Sequence, residues 1–213
     1  MAQQVFPTKG NLIAMKRSLA LALLGYDLLD RKRNILIREL MGTVDKAGEL
    51  RSTIEETYKT AYQALMQANI SLGVIEPYAA SIPIEDGISL SCRSVMGVEL
   101  PKVTLEPRKP DVNYGFLNTT SQLDKAYLAF DKVKRVTAEL AEVESSIYRL
   151  SVAIRKTQRR ANALQNIIIP REKATVKYIS DSLEEKEREE FSRLKVIKAV
   201  KLKRSAAKKE ENI

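Results

Sequence analysis

Residues 159–179 read RRANALQNIIIPREKATVKYI. Both flanks carry helical periodicity, yet Pro170 sits inside the stretch. A proline in a helix interior removes a backbone donor and presses its ring on the carbonyl four residues back, here that of Asn166. That costs about 3 kcal/mol and kinks or ends the helix. Helix on both sides of Pro170 therefore requires another element to hold the chain across a kink.

Toward the N-terminus the stretch continues a seam. Leu123, Ala126, Phe130, Val133 and Val136 lead into Leu140, Val143, Ile147, Leu150, Ile154, Thr157, Ala161, Leu164 and Ile168. The double step of three at Val133 and Val136 is a stammer, which overwinds a supercoil locally. Beyond Pro170 the pattern thins to Thr175 and Tyr178 and passes through the charged run DSLEEKEREE.

The first third of the chain supplies a matching seam. Alternate steps of three and four from Leu12 reach Met15, Leu19, Ala22, Tyr26, Leu29, Arg33, Leu36, Leu40, Thr43, Ala47, Leu50, Ile54, Thr57, Ala61, Ala64, Ala68 and Ser71. Apolar residues occupy all but four of these places over about nine heptads, which is a coiled-coil seam. Pro7 and Thr8 start it, with Thr8 as N-cap. Arg33 is the one charge on it, a device that can specify register. Gly25, Gly42 and Gly48 mark either close approach of a partner backbone or local weakness.

Between the seams lie five of the seven prolines. Residues 76–87 (EPYAASIPIEDG) and 106–117 read as loops. Ile88, Leu90 and Cys92 alternate with Ser89, Ser91 and Arg93; after Met96-Gly97, Val98, Leu100, Val103 and Leu105 continue the alternation. Two such runs around a glycine turn predict a β-hairpin over 88–105, with Cys92 buried in it and Pro101 at a non-hydrogen-bonded edge position.

The fold class expected is mainly α. A long antiparallel two-helix coiled coil forms from the N- and C-terminal helices, with a small β-hairpin in the central connector. The expected segments are 1–75, 76–117, 118–205 with a kink near Pro170, and a basic tail over 206–213. The N-terminal helix is the element that holds the chain across Pro170, with Pro170 opposite roughly Tyr26–Leu36. Both termini then lie at one end and the hairpin at or near the other.

The chain has 213 residues, no histidine, one cysteine and a net charge of +9. These exclude histidine-based catalysis and an intramolecular disulfide. No phosphate-cradling glycine motif is present, and the paired acids Glu184–Glu185 and Glu189–Glu190 sit on a solvated helix. The expectation is a non-enzyme without cofactor or metal. Asp181–Glu190 holds six acids against two bases, and Phe191–Ile213 holds eight bases against two acids. A basic end of this kind fits an acidic partner: nucleic acid, anionic lipid or an acidic protein surface. Lys16-Arg17 ahead of SLALALLGY imitates a signal peptide, but the run ends at once in charge and is too short to span a bilayer. Arg31, Lys32 and Arg33 on one helix, and Arg155, Lys156, Arg159 and Arg160 on the other, form a partner belt if the fold brings them to one face. Otherwise they are charges flanking the seam.

Four landmarks in order resemble the D subunit of the V-type (A/V-type) ATP synthases: PTKGNLIAMKRSLALALLGYDLLDRKRNILIREL, SVMGVELPKV (94–103), NYGFLNTTSQLD (113–124) and the region 159–198. Tyr26, Asn34 and Gln165 depart from the residues usual in that family. The resemblance implies a central-stalk rotor shaft for ATP synthesis or ATP-driven H+ or Na+ transport. The end bearing both termini enters the nucleotide-binding ring, formed by A and B subunits. A small F subunit of the stalk clasps the side, and a membrane-rotor adaptor couples the other end. It implies a peripheral subunit on the cytoplasmic face of a membrane, expected to be the plasma membrane of a prokaryote. It implies no direct membrane insertion and no nucleic acid. Arg31, Lys32, Arg33, Arg159 and Arg160 are the expected ring contacts. The hairpin turn with Arg93, Met96 and Gly97 is expected at lower contacts and in regulating hydrolysis, and Pro170 at the helix kink. The alternative is a basic coiled-coil scaffold or a nucleic-acid or lipid binder.

Overall fold

A computed structural model describes residues 5–106, 114, 115 and 119–210, with the backbone alone for 203–210. The expected loop over 106–117 and the landmark at 113–124 therefore lie partly outside the described residues. In chain order come α1 (Lys9–Leu72), α2 (Glu76–Ala79), β1 (Ile88–Val95), β2 (Val98–Leu105), α3 (Ser121–Ala163), a π-helical turn (Leu164–Ile168) and α4 (Ile169–Glu210). The chain is mainly α, with two long terminal helices and a small antiparallel hairpin between them. The short helix α2 lies within the segment expected to be all loop. Its proline occupies the first turn, where a missing backbone donor does no harm.

The chain divides into two compact units, Met1–Asp30 with Gln158–Ile213, and Arg31–Thr157. In the second unit, α1 and α3 pair antiparallel. Ser71 meets Thr120 through their hydroxyls at 3.2 Å, the Tyr62 ring meets Phe130 edge-on at 5.8 Å, and Tyr58 Oη lies 3.1 Å from Thr137 Oγ1. Ala61 and Ala68 are fully buried on this seam, so the two backbones approach closely. One core holds Ala68, Ile75, Tyr114, Leu123 and Ala126. There Tyr114 donates to Asp124 at 2.7 Å; burial first, and then this bond, push the phenol far above its ordinary pKa. A second core holds Leu36, Leu100 and Leu150.

Leu100 brings the hairpin to that second core. The connector does not remain at the Ser71–Thr120 end of the pair, where the sequence pattern places the hairpin; it runs back along α3. Lys134 Nζ meets Glu85 Oε2 at 2.5 Å, Glu142 Oε2 accepts the Val103 N–H at 2.7 Å, and Arg149 Nη1 donates to the Glu99 carbonyl at 3.0 Å. The hydrogen bond to Glu85 is the main cause that raises the Lys134 pKa.

In the first unit, α1 again pairs antiparallel, here with the end of α3, the π turn and α4. Lys9 Nζ meets Glu187 Oε1 at 2.9 Å, and Ser18 Oγ donates to Glu172 Oε1 at 2.8 Å. A methyl group at Gly25 would lie 3.9 Å from Leu164 Cδ1. Of the four glycines within α1, Gly25 alone faces another element that closely, for nothing lies within 4 Å of a Cβ at Gly10, Gly42 or Gly48. These pairs place Pro170 opposite the Ser18–Gly25 stretch, about two turns nearer the N-terminus than Tyr26–Leu36. Thr8 caps α1 as expected, its Oγ1 accepting the Asn11 N–H at 3.2 Å.

Candidate functional site

Two places depart from a plain two-helix seam, and each arranges chemistry the seam alone does not. The first is the π turn. Ile169 N–H bonds to Leu164 O, five residues back. One extra residue is thus absorbed immediately ahead of Pro170, so a widened turn and not a regular one precedes the proline within the continuous helix. The heptad does not weaken beyond this point; it shifts by one. From Leu164 the seam steps to Ile169, Glu172, Val176 and Ile179. Ile179 is fully buried while Tyr178, the sequence-based choice, is 60% exposed. The expected seam at Thr175 and Tyr178 is corrected accordingly, because a period of 3.5 cannot register an inserted residue. Glu172 is buried in the shifted seam, and its Oε2 has no hydrogen-bond partner.

The faces around this turn are open. Leu21, Leu24 and Leu28 lie along one exposed face of α1, and Ile167 and Tyr178 are exposed on the opposing arm. Phe191, Leu194, Ile197 and Leu202 are exposed on α4 among Arg193, Lys195, Lys198 and Lys201. Single apolar residues on a surface need no explanation, but runs at helical spacing mark a surface for another chain.

The second place is the hairpin seat. Val95 pairs with Val98 around Met96 and Gly97, whose φ angles are 51° and 75°. Both are left-handed, which is a type I′ turn and matches the twist of the strands. The Val103 N–H points to Glu142 rather than to β1, so Pro101, two residues earlier on the same strand, needs no donor there. Val98 and Leu100 share one face, while Val103 and Leu105 share the other. Their apparent single alternation slips phase at Pro101. The hairpin buries the Leu100 face. Ile88, Leu90 and Cys92 are therefore exposed, which corrects the expected burial of Cys92. Arg93 stands on the Leu100 face and forms an ion pair with Glu39 of α1.

The sequence-derived candidates separate as follows. Arg31, Lys32 and Arg33 are consecutive on α1 in the Arg31–Thr157 unit, with Lys32 and Arg33 half-buried. Arg159 and Arg160 are exposed on α3 in the other unit, as is Pro170 on α4. Arg93 is engaged by Glu39, and Met96 and Gly97 form the exposed turn. Sequence reasoning missed Glu172 and Glu142. Glu142 stands next to the seam residue Val143, and no sequence pattern reveals that its carboxylate receives a strand amide. Glu172 becomes a seam residue only once the extra residue of the π turn is counted. Among the described residues, no group of three or more His, Cys, Asp or Glu could hold a metal ion, and no helix is long and apolar enough to cross a membrane.

The comparisons with known proteins agree in direction. The family model for the ATP synthase D subunit matches residues 11–199. The chain is 45% identical over 196 residues to the V-type ATP synthase D subunit of Thermotoga neapolitana, covering 91% of this chain and 97% of that one. It is 39% identical over 202 residues to the A-type ATP synthase D subunit of Pyrococcus abyssi, covering 92% and 94%. It is also 39% identical over 222 residues to the A-type ATP synthase D subunit of Methanobrevibacter smithii, covering 100% and 96%.

Proposed function

The chain belongs to the ATP synthase D-subunit family, and from that premise we propose that it is the central rotor shaft of a V/A-type rotary ATPase. In this reading it carries torque between the nucleotide-binding ring and the membrane rotor, for ATP synthesis or ATP-driven H+ or Na+ transport. The observation that carries the reading is the antiparallel pairing of long heptad helices within each compact unit. Paired helices resist twisting better than one, and a shaft needs stiffness and unequal faces rather than an active site.

The partners in this reading are the A and B subunits of the ring, a small F subunit and a membrane-rotor adaptor. The chain sits at the cytoplasmic face of a prokaryotic plasma membrane as a peripheral, non-catalytic subunit. The unit holding both termini enters the ring, with Arg159 and Arg160 on it, and Arg31, Lys32 and Arg33 of the other unit add contacts. The exposed Leu21–Leu24–Leu28 face supports this, since a ring that encloses a shaft covers apolar surface. As the shaft turns, each face favours a different conformation of the ring subunit it meets, through differential affinity. The hairpin turn at Arg93, Met96 and Gly97 is a regulatory contact, and the Pro170 region makes the shaft eccentric.

Reconstitution tests this. The full chain added to its ring subunits restores rotation-coupled ATP hydrolysis and hydrolyses nothing alone. ATP hydrolysis by the isolated chain, or a ring that reaches full coupled turnover without it, overturns the proposal.

A further inference from the structure

The hairpin seat forms a half-open cavity of about 550 Å³ between the hairpin, α1 and α3. Arg38 and Lys46 line it from α1, and Arg93 and Lys102 from the hairpin, against two carboxylates, Glu39 and Glu142. Both carboxylates are engaged: Glu39 by Arg93, and Glu142 by the Val103 N–H. Arg38, Lys46 and Lys102 stand in no ion pair among the described residues. Four cations against two carboxylates leave the lining with a net charge of +2, which favours an anion there.

We propose that this cavity binds an oligophosphate anion, and that the bound anion latches the hairpin onto α1. Its size lies within the range of small-molecule sites. Arg38 and Lys46 are eight residues apart, about 12 Å along a helix at 1.5 Å per residue. That span exceeds one phosphate and suits a chain of two or three, reached from both ends by flexible cationic side chains. No aromatic residue lines the cavity, so the site reads phosphates and not a base. Gly42 stands at its α1 wall with nothing within 4 Å of the position a Cβ would take. The inference does not need the rotor reading, since it rests on the cavity and the charges that line it.

The test is calorimetric titration of the full chain with pyrophosphate, ATP and orthophosphate, joined to hydrogen exchange over residues 88–105. Pyrophosphate and ATP bind with one site per chain and similar affinity, and orthophosphate binds about tenfold more weakly. Lys46→Gln and Lys102→Gln each weaken pyrophosphate about tenfold, as expected for loss of one charge-assisted contact. Gly42→Leu abolishes binding by filling the cavity. It keeps the fold, because the position is open and leucine favours helix over glycine. Hairpin amides exchange more slowly with pyrophosphate present. The absence of saturable binding overturns the proposal. So does binding that survives Lys46→Gln and Lys102→Gln but is lost in Lys195→Gln/Lys198→Gln, because the anion then sits on the basic end of α4.

Discussion

The π turn and the hairpin seat solve different problems with different kinds of information. Around the π turn, packing is one-dimensional. Each seam residue meets α1 at a place fixed by counting, and a single inserted residue is corrected by a single widened turn. At the hairpin seat, packing is three-dimensional. Leu100 lies far in sequence from both Leu36 and Leu150, and three polar contacts hold the strands against helices on either side. A helix pair can therefore lose one contact and re-form around it locally. The seat depends on residues that no local period specifies, and it should be the more sensitive of the two.

The largest expected effect tests that difference directly. Leu150 is fully buried among Leu36 and Leu100, and Leu150→Ala leaves a cavity that the hairpin cannot follow inward. Loss of about 2–5 kcal/mol is expected, together with faster amide exchange across 88–105. Urea unfolding measures the first and hydrogen-exchange mass spectrometry the second. Hairpin protection unchanged in Leu150→Ala would show that its polar clamps hold it without the apolar anchor.

Next comes the counting rule at the π turn. Deleting Gln165 returns the helix to a regular repeat and keeps Ile169, Glu172 and Ile179 on the seam. It also puts a regular α-turn immediately ahead of Pro170, where the ring meets the carbonyl four residues back, at a cost of about 3 kcal/mol. Pro170→Ala in the same chain removes that penalty, so the double variant should unfold within about 1 kcal/mol of the parent. Pro170→Ala alone should leave the widened turn in place, because the seam phase demands it whatever residue follows. Straightening of the turn in that single variant, seen by crystallography, would assign the turn to the proline instead. A smaller effect follows at the buried carboxylate. Ser18→Ala removes the partner of Glu172 Oε1 and leaves both carboxylate oxygens unpaired, a loss of about 1–3 kcal/mol. Replacing both residues, Ser18→Ala with Glu172→Leu, should recover most of it. No recovery in thermal melts would mean that the carboxylate finds another partner in solution.

These contrasts show which parts of the structure the sequence makes legible. The seams from Leu12 to Ser71 and from Leu123 to Leu164 are readable because a 3.5 period leaves the same mark whatever the partner. Thr8 as cap and the hairpin over 88–105 are readable for the same local reason. The shift after Leu164 is not readable, since an inserted residue looks like a fading pattern until the new phase is tried. Nor is the choice of hairpin face. Ile88, Leu90 and Cys92 make the cleaner apolar alternation, yet Leu100 on the other face finds the groove between the helices. Of the site, the charged residues can be named from sequence but not assembled. Arg93 meets Glu39 and Lys134 meets Glu85 only because the connector runs back along α3.

The smallest expected effect isolates the hairpin from its seat. Met96 has φ 51°, a conformation that costs a side-chain-bearing residue about 1 kcal/mol and glycine almost nothing. Its side chain is 47% exposed, so little packing is lost with it. Met96→Gly should stabilise the type I′ turn, offset in part by the greater freedom of glycine in the unfolded chain. The net gain is less than about 1 kcal/mol, read as slower exchange of the Val95 and Val98 amides with no change near Glu172. The direction matters more than the size. A turn held by its own backbone preference responds to glycine; a turn held in place by the seat does not. Unchanged exchange in Met96→Gly would mean that Leu100, Arg93 and Glu142 impose the hairpin's shape from outside, and that even its local geometry belongs to the three-dimensional half of the comparison.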